Sequence, residues 1–193
     1  MIYETIQKCR ISKKKDLVSV GKLEGMSLTG TFPKSKKEKI PYLPFEVVYS
    51  KSSKLLQLKY NYDPKLLYGD NYGYMSSLNP VMIYHLKKKS VFLKKKIKYK
   101  KNYFTLDIGS NDGTFINLFK GPNKFAIDPT IKKLGKYYKK NIIKIPNFFS
   151  SNNIKKFVKS KVKIISSIAM FYDLQNPVKF AEEIYETLDD HGV

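Results

Sequence analysis

The residues of this chain that could do chemistry together begin with Asp107-Ile-Gly-Ser-Asn-Asp-Gly113. An aspartate closing an apolar run, followed by glycines two and six positions later, allows a tight turn whose backbone N–H groups approach a ligand closely. The spacing is neither G-x-G-x-x-G nor a P-loop, which needs a terminal Gly-Lys-Ser/Thr. The carboxylates of Asp107 and Asp112 would repel a pyrophosphate and suit a ligand carrying an amino group and a sulfonium charge. Gly109, Ser110, Asn111, Asp112 and Gly113 form the cradle in this reading. Asp128 closes the next apolar run, at the position where a carboxylate accepts both hydroxyls of a ribose in nucleotide-binding α/β folds. A turn aspartate and a helix N-cap at Asp128-Pro-Thr130 are the plainer reading of the same residues. Ala169, Met170 and Phe171 end a further apolar run, and beyond the carboxyl end of a parallel strand they would border the same pocket. Phe148-Phe149 would wall a ring or fill core, with core favoured.

Four apolar runs must position these residues as strands: Tyr103 to Ile108, Lys124 to Asp128, Asn141 to Ile145 and Lys161 to Ala169. Helices are expected over Thr114 to Lys120, Ile131 to Lys139, Asn152 to Ser160 and Val178 to Leu188. Alternating strands and helices imply right-handed crossovers and a parallel sheet covered on both faces. Asp189-Asp-His-Gly-Val193 reads as the turn into a fifth strand, with Val193 its first residue. On that reading the chain stops inside the sheet. Upstream, Leu17 to Val20, Pro44 to Tyr49 and Leu55 to Leu58 read as short strands of a small β-rich lobe over 1–61. Residues 62–101 read as a linker with turn formers at Asp63-Pro64, Gly69 to Gly73 and Asn79-Pro80, then an entry helix from Val81. Residues 102–193 carry the α/β part.

Composition bounds the function. The formal charge is +21, which raises nucleic acid as a partner. Arg10 is the sole arginine, however, and Lys, Ile, Asn and Tyr are all frequent, so the charge reads as compositional drift. A basic nucleic-acid-binding protein or an RNA methyltransferase is the alternative reading. The apolar runs are too short to span a membrane and no signal segment opens the chain, so a cytoplasmic protein is expected. Cys9, the one cysteine, permits no intramolecular disulfide and cannot alone make a metal site.

Three separated strings, Tyr68 to Asn79, Leu106 to Thr114 and Ile165 to Pro177, resemble in order the nucleotide-sugar C-methyltransferases that branch deoxysugars at C-3. The resemblance implies a class I, Rossmann-like methyltransferase sheet preceded by a small lobe, with S-adenosylmethionine as cofactor and a nucleotide-linked keto-sugar as substrate. It makes Tyr72 and Tyr74 the residues near the sugar. It implies zinc on two Cys-x-x-Cys pairs, but the matching positions are Cys9, Ser12, Ser50 and Ser53, so no metal is assigned. Met75 and Ser77 stand where the family has arginine and glycine. The family's base lies in a His-Glu-His segment after the fifth strand; His85 and His191 do not match it. This chain resembles an N-terminal fragment whose base is absent, and a separately encoded C-terminal part is a possible partner.

Overall fold

The computed structural model describes residues 2–28, 33–69 and 72–193. Asp70 and Asn71, within the tyrosine-rich string, lie outside the described residues. Two compact units are present: Met1–Gly73 with Gln175–Val178, and Tyr74–Leu174 with Lys179–Val193. The segment 62–101 is therefore divided between them.

The first unit is antiparallel. Strand β1 (Tyr3–Thr5) pairs with β5 (Tyr60–Tyr62), while β2 (Leu17–Ser27), β3 (Tyr42–Ser50) and β4 (Leu56–Leu58) form a three-stranded sheet in that order. Register shifts between Ser19 and Gly21 and between Leu23 and Met26 let β2 run past the four residues its sequence suggests. Inward positions alternate along β3, where Leu43 and Val48 are buried, as expected for a sheet with one apolar face. Buried Glu46 is paired with Lys59 at 3.2 Å, which removes the cost of a lone buried carboxylate. A short helix, α1 (Pro64–Tyr68), follows, its first turn capped by the Asp63 carboxylate accepting from Lys65 N at 2.9 Å.

The second unit opens with α2 (Pro80–Lys96), the longest helix. Asn79-Pro80, read from sequence as a turn, is its N-cap and first residue: the Asn79 side chain accepts from Val81 N and Met82 N, and proline is pre-set for that position. Leucines 86 and 93 and Met82 turn the helix onto the core, so it continues through the lysine cluster. Strands β6 (Thr105–Ile108), β7 (Lys124–Ile127), β8 (Ile143–Ile145) and β9 (Ile164–Ser167) make a parallel sheet of order β8-β7-β6-β9. All residues of β6 and β7 are buried, so neither strand alternates between apolar and solvent-facing positions, and the polar Thr105, Asp107 and Lys124 are buried with the rest.

Each face of the sheet has its own core. Ala126 and Ile164 meet Leu86, Phe115, Ile116 and Phe119 on one side. Leu106, Ile108, Phe125 and Ile127 meet Ile154, Val158 and Phe180 on the other, the last three supplied by α4 (Ser151–Lys155), the turn after it, and α5 (Pro177–Thr187). Each such side chain contributes about 1.5–3 kcal/mol by leaving water. This is the Rossmann-like α/β arrangement with a small antiparallel β lobe. Beyond α5, Val193 N donates to Lys163 O and Ile165 N to Val193 O, both at 2.9 Å, so the last residue hydrogen-bonds alongside β9.

The expected helix over Thr114 to Lys120 is corrected. Only a 3-10 turn forms, Ile116–Leu118. Gly121-Pro122 breaks the segment, and the freed carbonyls are taken by lysines: Lys94 Nζ reaches Leu118 O at 2.7 Å and Lys124 Nζ reaches Phe119 O at 3.4 Å. The helix expected to Lys139 is likewise short, α3 (Ile131–Leu134), ending in a 3-10 turn over Gly135–Tyr137.

Candidate functional site

The loop after β6 is built from three residues in the left-handed region, Gly109 (φ 66°), Asn111 (φ 52°) and Gly113 (φ 77°). A Cβ on Gly109 would lie 2.9 Å from Met170 Sδ, and one on Gly113 would lie 2.7 Å from the Tyr138 ring. Gly113 is therefore required twice, by φ and by the closeness of a ring, whereas Gly109 is required by φ, since the methionine side chain beside it can move. Asn111 tolerates the same conformation and is held there on every polar group. Its N–H donates to Asp128 Oδ2 at 2.8 Å, its side-chain amide donates to Tyr74 O at 2.9 Å, and its side-chain oxygen accepts from Ser76 N at 3.0 Å. Its carbonyl accepts from Tyr138 Oη at 2.7 Å.

Each carboxylate of the site has a distinct environment. Asp107 sits in the middle of the sheet, 3% exposed, with Ser166 Oγ donating to it at 2.6 Å from the paired position on β9. Burial pushes its carboxyl up to about 7, opposed by the Ser166 hydrogen bond and assisted by the negative charge of Asp128. Asp112 accepts from Ser77 N at 2.8 Å, Thr114 N at 3.1 Å and Thr114 Oγ1 at 2.6 Å. Burial alone would raise that carboxyl, but the donors from Thr114 and Ser77 outweigh it and hold it below its ordinary value. Asp128, at the end of β7, accepts from Thr130 N at 2.7 Å and Thr130 Oγ1 at 2.5 Å as well as from Asn111 N.

The fold thus gathers the predicted residues of the β6, β7 and β9 ends into one place. Asp107, Gly109 to Gly113 and Asp128 share a hydrogen-bonded loop, and Met170 packs on Gly109. Ala169 is itself left-handed, φ 56°, which turns the chain over after β9, and Phe171 stands half exposed, edge-on to Phe180 at 5.8 Å. Phe149 also meets Phe180, at 5.3 Å, and fills core. Tyr74 is in this unit and gives its carbonyl to Asn111; Tyr72 is in the other, ring-on-edge to Tyr68 at 5.4 Å. His85 and His191 are exposed.

Two residues escaped sequence reasoning. Tyr138 joins the loop to the following crossover through Ser110 Oγ, 2.8 Å, and Asn111 O; it looked like one aromatic among many. Ser167 Oγ, at the carboxyl end of β9, is buried with no hydrogen-bond partner among the described residues, and buried hydroxyls are normally satisfied. A groove of about 290 Å³ lies elsewhere in this unit, among Ile154, Val158, Lys159, Lys161, Glu186 and Thr187, next to the entry of β9 and away from these groups. The loop is distinguished by its chemistry, since that groove pairs apolar walls with solvated lysines.

No described helix is long and apolar enough to cross a membrane. No protein-family model matches the chain, and no curated protein sequence does. Among solved structures the chain is similar to the plantazolicin methyltransferase BamL in complex with a triazolic desmethylPZN analog and SAH, at 22% identity and a TM-score of 0.46. The likeness covers 57% of this chain and 44% of that one, so the chain matches less than half the length of that protein.

Proposed function

We propose that the second unit binds S-adenosylmethionine at the β6 loop and that the chain serves methyl transfer to carbon on a nucleotide-linked keto-deoxysugar. The observation that carries this reading is a fully buried carboxylate, Asp107, beneath a loop of three left-handed residues, with Asp128 at the end of the neighbouring strand. The residues fit such a cofactor. An orphaned hydroxyl at Ser167 lies at the same end of the sheet, and two carboxylates near the loop favour a cationic ligand over a phosphate.

When bound, the cofactor supplies a methyl group on a positively charged sulfur. The loop from Asp107 to Gly113 would hold its amino acid part, although the N–H groups of Gly109, Asn111 and Gly113 are already donated within the protein; Asp128 would hold its ribose, and Ala169 to Phe171 its ring. Because Asp112 and Asp128 already accept three hydrogen bonds each, their first task is to fix the loop, so that little ordering remains for the ligand to impose. Tyr72 and Tyr74 are the proposed sugar-positioning residues on the resemblance of their motif. A base must remove the proton beside the carbonyl, and no residue of this chain is assigned that role.

Isothermal titration of the folded chain with S-adenosylmethionine and with its demethylated product tests the cofactor half. Saturable binding is expected, abolished in Asp107→Ala with circular dichroism unchanged. Absence of heat from the folded chain, or full affinity in Asp107→Ala, would overturn it. Transfer of a labelled methyl group to a nucleotide-linked keto-sugar, and not to RNA, tests the substrate half.

A further inference from the structure

The first unit contains two turns of one design. In the first, Cys9 N donates to Lys14 O and Lys13 N to Cys9 O, both at 3.0 Å, and Lys14 N to Ser12 Oγ at 3.4 Å. In the second, Ser50 N donates to Leu55 O at 3.0 Å, Lys54 N to Ser50 O at 2.9 Å, and Leu55 N to Ser53 Oγ at 3.3 Å. The residue after each fourth position is a lysine in the left-handed region, Lys13 at φ 60° and Lys54 at φ 62°. Each turn thus presents its first and fourth side chains, Cys9 with Ser12 and Ser50 with Ser53, in the spacing of a zinc-binding pair.

The donor set does not fit zinc. One thiol and three hydroxyls face each other, and hydroxyls that keep their protons are poor zinc ligands beside thiolate, imidazole or carboxylate. Among the described residues no cluster of three histidines, cysteines or acids is present. What joins the turns instead is hydrogen bonding. Cys9 Sγ meets Ser53 Oγ at 3.1 Å and accepts from Gln57 Nε2 at 3.3 Å; Ser52 Oγ donates to Ser12 Oγ at 3.0 Å. Asp16 spans the second turn, taking Ser50 Oγ at 3.0 Å and Ser52 N at 2.6 Å. Cys9 and Ser50 are almost wholly buried, so these bonds stand in a place where an unmet polar group is costly.

We infer that the paired turns are a metal-site scaffold held together without metal, in which Cys9, Asp16 and the serines supply by hydrogen bonds the cohesion a zinc ion would give. The two turns keep one backbone pattern, each closed by the same pair of main-chain bonds and a left-handed lysine. Thiolates around tetrahedral zinc, with Zn–S of about 2.3 Å, lie roughly 3.8 Å apart, and Cys9 Sγ and Ser53 Oγ, one from each turn, already face each other at 3.1 Å. The inference is independent of the cofactor reading.

The test uses the whole chain. Wild type grown with zinc is expected to purify without stoichiometric metal and to keep its Tm in chelator. Asp16→Ala is expected to lower the Tm by several degrees. The triple variant S12C, S50C and S53C is expected to take up a single equivalent of Co²⁺ with the visible bands of a tetrahedral thiolate set, and to lose Tm on chelation. Stoichiometric zinc in wild type, removed by chelator with a fall in Tm, overturns the inference; so does a folded triple variant that leaves Co²⁺ unbound. Should the triple variant fail to fold, wild type and Asp16→Ala decide, and an unchanged Tm in Asp16→Ala overturns it.

Discussion

Asp107 carries opposite consequences for stability and for binding, and both follow from its burial. With a carboxyl raised to about 7, the folded chain keeps a proton that the unfolded chain releases near pH 4. The stability this contributes is fully present below about pH 4 and is lost as pH rises through 7. Asp107→Asn, which cannot ionise, is therefore expected to match wild type near pH 4 and exceed it above pH 7 by several kcal/mol, at about 1.4 kcal/mol per pH unit between the unfolded and folded values, read from urea midpoints. A cationic ligand, by contrast, needs the ionised form. Affinity for S-adenosylmethionine is expected to rise from pH 6 to about pH 8, with proton release seen as a buffer-dependent titration enthalpy; an affinity flat with pH would remove Asp107 from the binding site.

At the scale of elements, Asn111 ties four segments together: the stretch Tyr74 to Ser77, its own loop, the end of β7 and the turn holding Tyr138. Its two contributions separate by substitution. Asn111→Gly keeps the left-handed backbone and loses the side-chain bonds, at about 1–2 kcal/mol. Asn111→Ala loses both and is expected to cost roughly 1 kcal/mol more, measured by chemical denaturation. The strands around this hub were legible in the sequence because buried parallel strands are short, mostly apolar runs, and the Asp and Gly positions were legible because few residues can make that turn. Helix lengths were not. Thr114 to Lys120 stops at a 3-10 turn before Gly121-Pro122, and the carbonyl of Leu118 is taken by Lys94, which comes from α2. Each of Asp112 and Asp128 takes two bonds from the threonine two residues on, but sequence could not show the third, since Ser77 and Asn111 become their neighbours only in the fold.

Across the molecule, 37 basic side chains face 16 acidic ones, as in the pairs Lys59–Glu46, Lys155–Glu186 and Lys163–Asp189. Most of the lysine charge therefore repels itself, which disfavours the compact state until salt screens it. The Tm is expected to rise between low and physiological ionic strength. Retention of nucleic acid is expected to vanish over the same range, as diffuse charge without arginine forks gives salt-sensitive, non-specific attraction. A complex that survives physiological salt would favour the nucleic-acid alternative.

The loop's Asp112-Gly113 step also bears on how the protein ages. Of the residues that can follow an aspartate, glycine hinders cyclisation least, the glycine nitrogen attacking the aspartate side-chain carbon to give a succinimide and then isoaspartate. Here Gly113 N–H is committed to Ser110 O at 2.9 Å, and both Asp112 oxygens are held by Ser77 and Thr114. Cyclisation therefore requires those bonds to open together. Isoaspartate at this one bond would accumulate only in proportion to the time the loop spends undone, so that the protein keeps its own chemical record of how often its candidate site comes apart.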